Sequence, residues 1–303
     1  MKDIVAIETY KTEGILINKL KDYAQLIKPS LSIMVVFSSM ISYLLAPKIV
    51  MYDWKMIVLF FIAGLLVTGS ANAINQVVER DTDAVMKRTA KRPVASGRMT
   101  VTEGWSFAIL TGAVGIFLLG NYFNWLSAGI ALFSLFLYAF IYTPLKKVSS
   151  VAVLAGAIPG AMPCLIGWAA GNDSLTAGAW ILFTIQFFWQ FPHFWAIAWI
   201  AHKDYSIAGF KLLPSDEGPT KFSAIQAIIY SLLLLPVGVL PYFLEVSGMM
   251  SLIIVLVANL LMVMQCVRLY REMSIRAARR VMFSSYIYLP VVLLVLLADK
   301  INA

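Results

Sequence analysis

Charge is scarce in this chain. Only 13% of its 303 residues are Asp, Glu, Lys or Arg, against ~25% in an ordinary soluble domain. A globule of this length cannot cover its surface with so few charges, so a soluble protein is excluded. Disorder is excluded too, because it requires low hydrophobicity and high charge. Cysteine is equally rare. Cys164 and Cys266 lie in apolar stretches, form no metal-ligand spacing and imply no disulfide framework. Histidine occurs twice, at His193 and His202. A phosphate-binding Gly-rich loop ending in Gly-Lys is missing, which argues against an ATP-driven pump. Residues 1–27 lack the apolar core and small-residue cleavage site of a signal peptide.

What fills the chain instead is hydrophobic sequence, 60% of it. The apolar residues come in blocks rather than alternating, which disfavours an outer-membrane barrel. The expectation is an all-α polytopic membrane protein. Nine hydrophobic segments are readable, near 30–46, 55–76, 104–120, 124–142, 150–170, 176–200, 223–243, 249–268 and 281–298. Residues 1–27 read as an inner-face arm containing an interfacial helix, and 28–303 as a single transmembrane domain. With the N-terminus inside, 21 of the 24 basic residues fall on inner segments, leaving Lys48, Lys55 and Lys300 outside. The positive-inside rule therefore predicts an inner N-terminus and an outer C-terminus. The net charge of +8 needs no nucleic-acid partner; it suits anionic lipid or an anionic substrate at the inner face.

Two inner loops, 77–103 and 201–222, are long and charged, and such loops usually carry function. In the first, Asn75, Glu79 and Asp83 are spaced i, i+4, i+8 and share one helical face, with Asp81 adjacent. Like charges at this spacing repel, so something positive should sit among them. Hard oxygen donors suit Mg²⁺, which is held by one or two carboxylates plus substrate phosphates. Arg80, Lys87, Arg88, Lys91 and Arg92 would grip the remaining anionic oxygens, although basic residues are expected here from topology alone.

In the second region, His193 lies within an apolar span among aromatics. An intramembrane ionisable group is a functional candidate by default. It could ligate a metalloporphyrin, donate to a propionate, or act as acid or base. His202, Lys203 and Asp204 sit at the interface, where solvation is as good a reading as function, and Asp204 could add a carboxylate. Asp216 and Glu217 read as loop acids. Tyr142 and Lys146 close the fourth span on the same face, with Lys147 beside them, and a lysine contact to a diphosphate is open there.

The Asn75-xxx-Glu79-xxx-Asp83 pattern resembles the first acidic motif of the intramembrane prenyltransferases of the UbiA type. The strings NQVVERDTDAVMKRTAKRP (75–93), YTPLKK (142–147), GAMPCLIGW (160–168), QFPHFWAIAW (190–199) and DYSIAG (204–209) are similar to the heme-farnesylating branch of that family. The resemblance implies nine transmembrane helices around a central cavity, in a bacterial inner membrane, with a cytoplasmic active face. It implies that Mg²⁺ and farnesyl diphosphate are held by Asn75, Glu79, Asp83 and Asp204, with Asp81 in the same string. By the same resemblance Arg88 and Arg92 contact the diphosphate, and His193 faces the heme B substrate. An enzyme that takes the product onward would be a partner. The matched second motif carries Asp204 with Lys203 and His202 rather than several aspartates, so a full second metal site is not implied. Prenylation of an aromatic quinone precursor is the alternative within the family. A transporter or heme-handling protein is the alternative outside it, although transporter sites sit near the midplane and these charges crowd the inner interface.

Overall fold

The computed structural model describes residues 17–215 and 217–301. Of the segments and residues read above, positions 1–16 of the arm and the loop acid Asp216 lie outside the described residues. Among the described residues the regular structure is helical, apart from one isolated bridge between Ser247 and Lys300. Helix α1 (Ile17–Ile27) meets α2 (Pro29–Leu45) at Lys28 with a 47° bend. Then come α3 (Trp54–Val78), the short α4 (Arg80–Val85), α5 (Val101–Tyr122) and α6 (Trp125–Phe136). A π-helical stretch, Leu137–Tyr142, carries α6 into α7 (Thr143–Leu145). The chain continues through α8 (Val151–Asn172), α9 (Ala177–Ile200), α10 (His202–Ile207), α11 (Lys221–Phe243), α12 (Met249–Glu272) and α13 (Ile275–Ala298).

Each expected hydrophobic segment coincides with a helix or a continuous helical run. The ends differ where capping, not hydropathy, sets them. Asp53, Thr100, Asn124, Thr220 and Ser274 accept backbone N–H groups in the first turns of α3, α5, α6, α11 and α13. Ser274 thus starts α13 well before its apolar run, across Arg276, Arg279 and Arg280. Among the described residues seven helices are long and apolar enough to cross a membrane, and the bent α1–α2 pair would make eight. Helix α9 has the length, 24 residues, but Gln186, Gln190 and His193 dilute its apolar character. Nine crossings therefore remain an expectation. Lys300, beyond α13, donates to carbonyls at the end of α2 and in the α2–α3 turn, so α13 ends at the pole opposite Lys28.

Helix α8 runs through the middle of the bundle, with Cys164, Leu165 and Trp168 in the core cluster shared with α2, α9 and α11–α13. Pro159 and Pro163 remove two of its backbone donors. A neighbour re-satisfies the Pro159 carbonyl that Pro163 frees, and other side chains add bonds to further carbonyls of the helix. Ser134 donates to the Pro159 carbonyl, Gln186 to Gly160, Gln190 to Ala157 and Ser42 to Cys164. Gly167 permits the close crossing with α2, since a Cβ there would meet the Ser39 carbonyl oxygen.

The fourth segment was expected as one regular helix and is not. Pro144 lacks the N–H that would bond the Phe140 carbonyl, and the preceding turn widens into the π stretch. Thr143 Oγ1 closes it by donating to the Tyr138 carbonyl at 2.8 Å.

Candidate functional site

The pole that holds Lys28 carries a cavity of about 240 Å³. Asn75, Glu79 and Asp83 all line it, as the spacing predicts. They do not share one uninterrupted helix. Helix α3 ends at Val78 and Glu79 is the joint, at φ −95° and ψ 12°. The face survives because Glu79 N–H still donates to the Asn75 carbonyl at 2.9 Å, and Asp83 N–H to the Glu79 carbonyl at 2.7 Å.

Something positive does sit among the acids. Lys146 Nζ donates to Glu79 Oε1 at 2.8 Å, with both side chains buried. Arg92 Nη1 donates to both oxygens of Asp83, at 2.7 and 2.6 Å. Lys28 Nζ donates to Asn75 Oδ1 at 3.2 Å. Burial pushes the Asp83 carboxyl up from its usual range, and the Arg92 guanidinium opposes that shift. Four bases (Lys28, Arg88, Arg92 and Lys146) and two acids line the cavity, so it carries surplus positive charge. Arg88 donates to the Tyr205 hydroxyl at 3.3 Å and lies 5.6 Å from its ring centre, bridging the first and second loops. Tyr138 and Tyr142 present rings from the π stretch, and Lys146 Nζ sits 4.4 Å from the centre of the Tyr142 ring.

By sequence Lys28 counts only among the 21 basic residues of the inner segments, and it is a cavity residue. Its left-handed backbone (φ 49°, ψ 71°) turns the chain between α1 and α2. Two buried amides of α3 hold the turn. Gln76 Nε2 donates to the Gln25 and Leu26 carbonyls at 3.0 and 2.9 Å, and Asn72 Nδ2 to the Ile27 carbonyl at 3.1 Å. These are the last carbonyls of α1, which have no partner within their own helix. Helix α3 therefore offers Asn72 and Gln76 to the arm and Asn75 and Glu79 to the cavity. A lysine directly before the proline that opens the first span was the available signal.

Several expected residues lie elsewhere. Asp81 is exposed and paired with Arg80 at 3.2 Å, outside the cavity. Lys87 is exposed and also outside it. Asp204 and Lys203, on the short α10, do not line it. His202 lines a second cavity of about 200 Å³ together with Tyr205, Ser206, Lys211 and Ser215. The reason is the break after α9: α10 presents Tyr205 to the first cavity and His202 to the second. Phe194, one of the aromatics beside His193, completes the apolar wall with Phe210 and Met86, which the sequence did not single out.

His193 is buried but faces α13 rather than the carboxylates. Its Nδ1 lies 2.7 Å from Ser285 Oγ, and its ring stacks on Trp189 at 4.9 Å and 16°. Its neighbour Phe194, 5.3 Å away between ring centres, lines the cavity, so the two places share a wall.

The comparisons with known proteins agree with one another. The UbiA prenyltransferase family matches residues 35–287. A protoheme IX farnesyltransferase of Cytophaga hutchinsonii is 45% identical over 283 residues, covering 92% of this chain and 97% of that protein. One of Flavobacterium johnsoniae is 40% identical over 285 residues, covering 92% and 94%. A solved structure of digeranylgeranylglyceryl phosphate synthase superposes with a TM-score of 0.77 at 22% identity, over 94% of this chain and all of that one. A UbiA homolog from Archaeoglobus fulgidus bound to GPP and Mg²⁺ gives 0.69 at 15% identity, over 91% and 99%. These two likenesses speak for the fold.

Proposed function

The chain belongs to the UbiA prenyltransferase family, and from that membership we infer that it transfers the farnesyl group of farnesyl diphosphate to a vinyl group of heme B. Water adds, and the products are heme O and diphosphate. The observation that carries this reading is the single cavity that combines Asn75, Glu79 and Asp83 with four bases and an apolar, aromatic wall. The relatives named for protoheme farnesylation, at 45% and 40% identity, supply the acceptor.

Mg²⁺ fits the donors present. The Asn75 amide oxygen and two carboxylates are hard oxygen ligands, while Asn75 Nδ2, a buried donor without an acceptor among the described residues, suits a phosphate oxygen. Among the described residues no three acidic, His or Cys groups cluster tightly enough to hold a metal alone. That suits Mg²⁺, which completes its shell with substrate phosphates. Asn75, Glu79 and Asp83 would hold it, and when bound it neutralises charge on the departing diphosphate.

The chain's own residues account for the remaining steps. Before substrate arrives, Glu79 and Asp83 balance Lys146 and Arg92. On loading, those bases turn to the phosphate oxygens, joined by Lys28 and Arg88. Preorganised cations stabilise the leaving group, so the allylic C–O bond lengthens toward a cation. Met86, Phe194, Ile197 and Leu212 keep that side of the cavity apolar and delay quenching by water. The vinyl group of the acceptor attacks the farnesyl carbon, the C–O bond breaks, and water captures the resulting cation with loss of a proton.

The same reading places the cavity pole at the cytoplasmic face of a bacterial inner membrane, with the C-terminus outside. It takes 28–303 as one transmembrane catalytic domain. The direct test supplies heme B, farnesyl diphosphate and Mg²⁺ to purified protein, with and without chelator, and reads the porphyrin by mass. A Mg²⁺-dependent gain of one farnesyl group and one hydroxyl is expected. An unchanged heme, with farnesylation of a quinone precursor by the same preparation, would reassign the acceptor.

A further inference from the structure

The ring of His193 has two nitrogens, and the hydrogens around it can be assigned. Ser285 Oγ lies 2.6 Å from the Met282 carbonyl and 2.7 Å from His193 Nδ1. A hydroxyl has one hydrogen. The carbonyl can only accept, so that hydrogen belongs to the bond with Met282. Toward His193, Ser285 Oγ is then an acceptor, and Nδ1 must carry the proton. In a neutral imidazole this leaves Nε2 bare.

The same residue is fixed from both sides. Trp189 Nε1 donates to the Ser285 carbonyl at 2.9 Å, while the Trp189 ring stacks on the imidazole. Tyr286 meets the imidazole edge-on, with centres 5.1 Å apart at 71°. The ring plane and the tautomer are both set. Nε2 has no hydrogen-bond partner among the described residues, and it is not among the buried polar atoms sealed from the surface. The lone pair, on a 7% exposed residue, is thus left with no donor among the described residues.

We propose that Ser285 is a positioning residue that locks His193 as the Nδ1–H tautomer, so that its Nε2 lone pair ligates the iron of the heme acceptor. The proposal rests on the heme-farnesylation reading. It selects among the roles open to His193: a bare Nε2 cannot donate to a propionate, and it can bind a metal. Hydrogen-bond partners of ligating histidines fix the tautomer in this way. Trp189, Phe194 and Tyr286 offer flat aromatic surfaces beside the ring. Because Phe194 also lines the carboxylate cavity, a macrocycle held at His193 abuts the place where the farnesyl cation forms.

The chain has two histidines, which makes a direct test practical. ¹⁵N-imidazole NMR of the full-length protein, assigned with His193→Ala, should show a protonated Nδ1 and a bare Nε2 at His193. Ser285→Ala should abolish that preference, and Ser285→Thr, which keeps the hydroxyl, should restore it. In a titration with ferric heme, Ser285→Ala should weaken binding by about 10–100-fold and lose the histidine-ligated spectrum, with Thr again rescuing both. A protonated Nε2 in the unaltered protein overturns the proposal. So does a Ser285→Ala variant with unchanged heme affinity and spectrum. If the tautomer is as expected but His193→Ala leaves the spectrum of bound heme unchanged, the iron ligation is overturned while farnesyl transfer stands. If no variant binds heme at all, the heme reading itself falls.

Discussion

Two lysines at opposite poles show how one residue type is put to two uses. Lys300 spends its three hydrogens on the carbonyls of Leu44, Ala46 and Ile49, at 2.9, 2.9 and 2.8 Å. It is saturated, and it ties the end of α13 to the turn after α2. Lys28 also sits at a helix end, yet among the described residues it has one acceptor, Asn75 Oδ1 at 3.2 Å. Two of its hydrogens are left facing the cavity. The lesson is that donor valence separates a staple from a binding group where burial and residue type do not.

The largest effects should come from the partners of the cavity bases. Glu79→Gln and Asp83→Asn should each lower heme O formation by about 10²–10³-fold, while the thermal midpoint in detergent shows the protein still folded. Near-normal turnover in either variant would remove that carboxylate from the site. Next comes the contrast itself. Lys28→Met should raise the KM for farnesyl diphosphate and reduce turnover with little change in thermal stability. Lys300→Met should do the reverse, costing about 1–3 kcal/mol for the carbonyls left unpaired, with turnover intact. If both variants lose stability alike, Lys28 is a staple too and the comparison breaks.

Gln76→Leu sharpens the same contrast without touching the cavity. It frees the Gln25 and Leu26 carbonyls, loosens the Lys28 turn and should raise KM several-fold more than it changes kcat. Gln76→Asn, shorter but still a donor, should fall between. A fall in kcat alone would show that the clamp does not act through Lys28.

Much of this was legible in the sequence, and the reasons are specific. Hydropathy located the helices because it is a property of long stretches. The i, i+4, i+8 spacing placed Asn75, Glu79 and Asp83 on one cavity even though the helix breaks at Glu79, because the i→i+4 backbone bonds continue across the joint. What the sequence hid was contact between distant segments. Lys28 meets Asn75 across 47 residues and Lys146 meets Glu79 across 67. Adjacency in sequence misled at Asp81, which points to the surface and pairs with Arg80, and at Asp204, where the short α10 turns other residues to the cavities. His193 was recognisable as unusual, but its orientation depends on Ser285, 92 residues away.

The smallest expected effect is also a fair test of the comparison, because bond length alone would not foresee it. Lys48 and Asp173 at the pole of Lys300 approach to 2.9 Å, and Lys146 and Glu79 at the cavity pole to 2.8 Å. The first pair is 60% exposed on both sides, whereas the side chains at the cavity are below a tenth. Water screens the first pair and is excluded from the second. Lys48→Ala should therefore change stability by only about 0–1 kcal/mol and leave heme O formation untouched. Lys146→Ala leaves Glu79 buried without a counter-charge and should cost both stability and turnover. A double-mutant cycle on each pair, read from thermal unfolding, puts the two on one scale. A coupling at Lys48–Asp173 as large as that at Lys146–Glu79 would mean that burial does not set the strength of the ion pairs at the two poles.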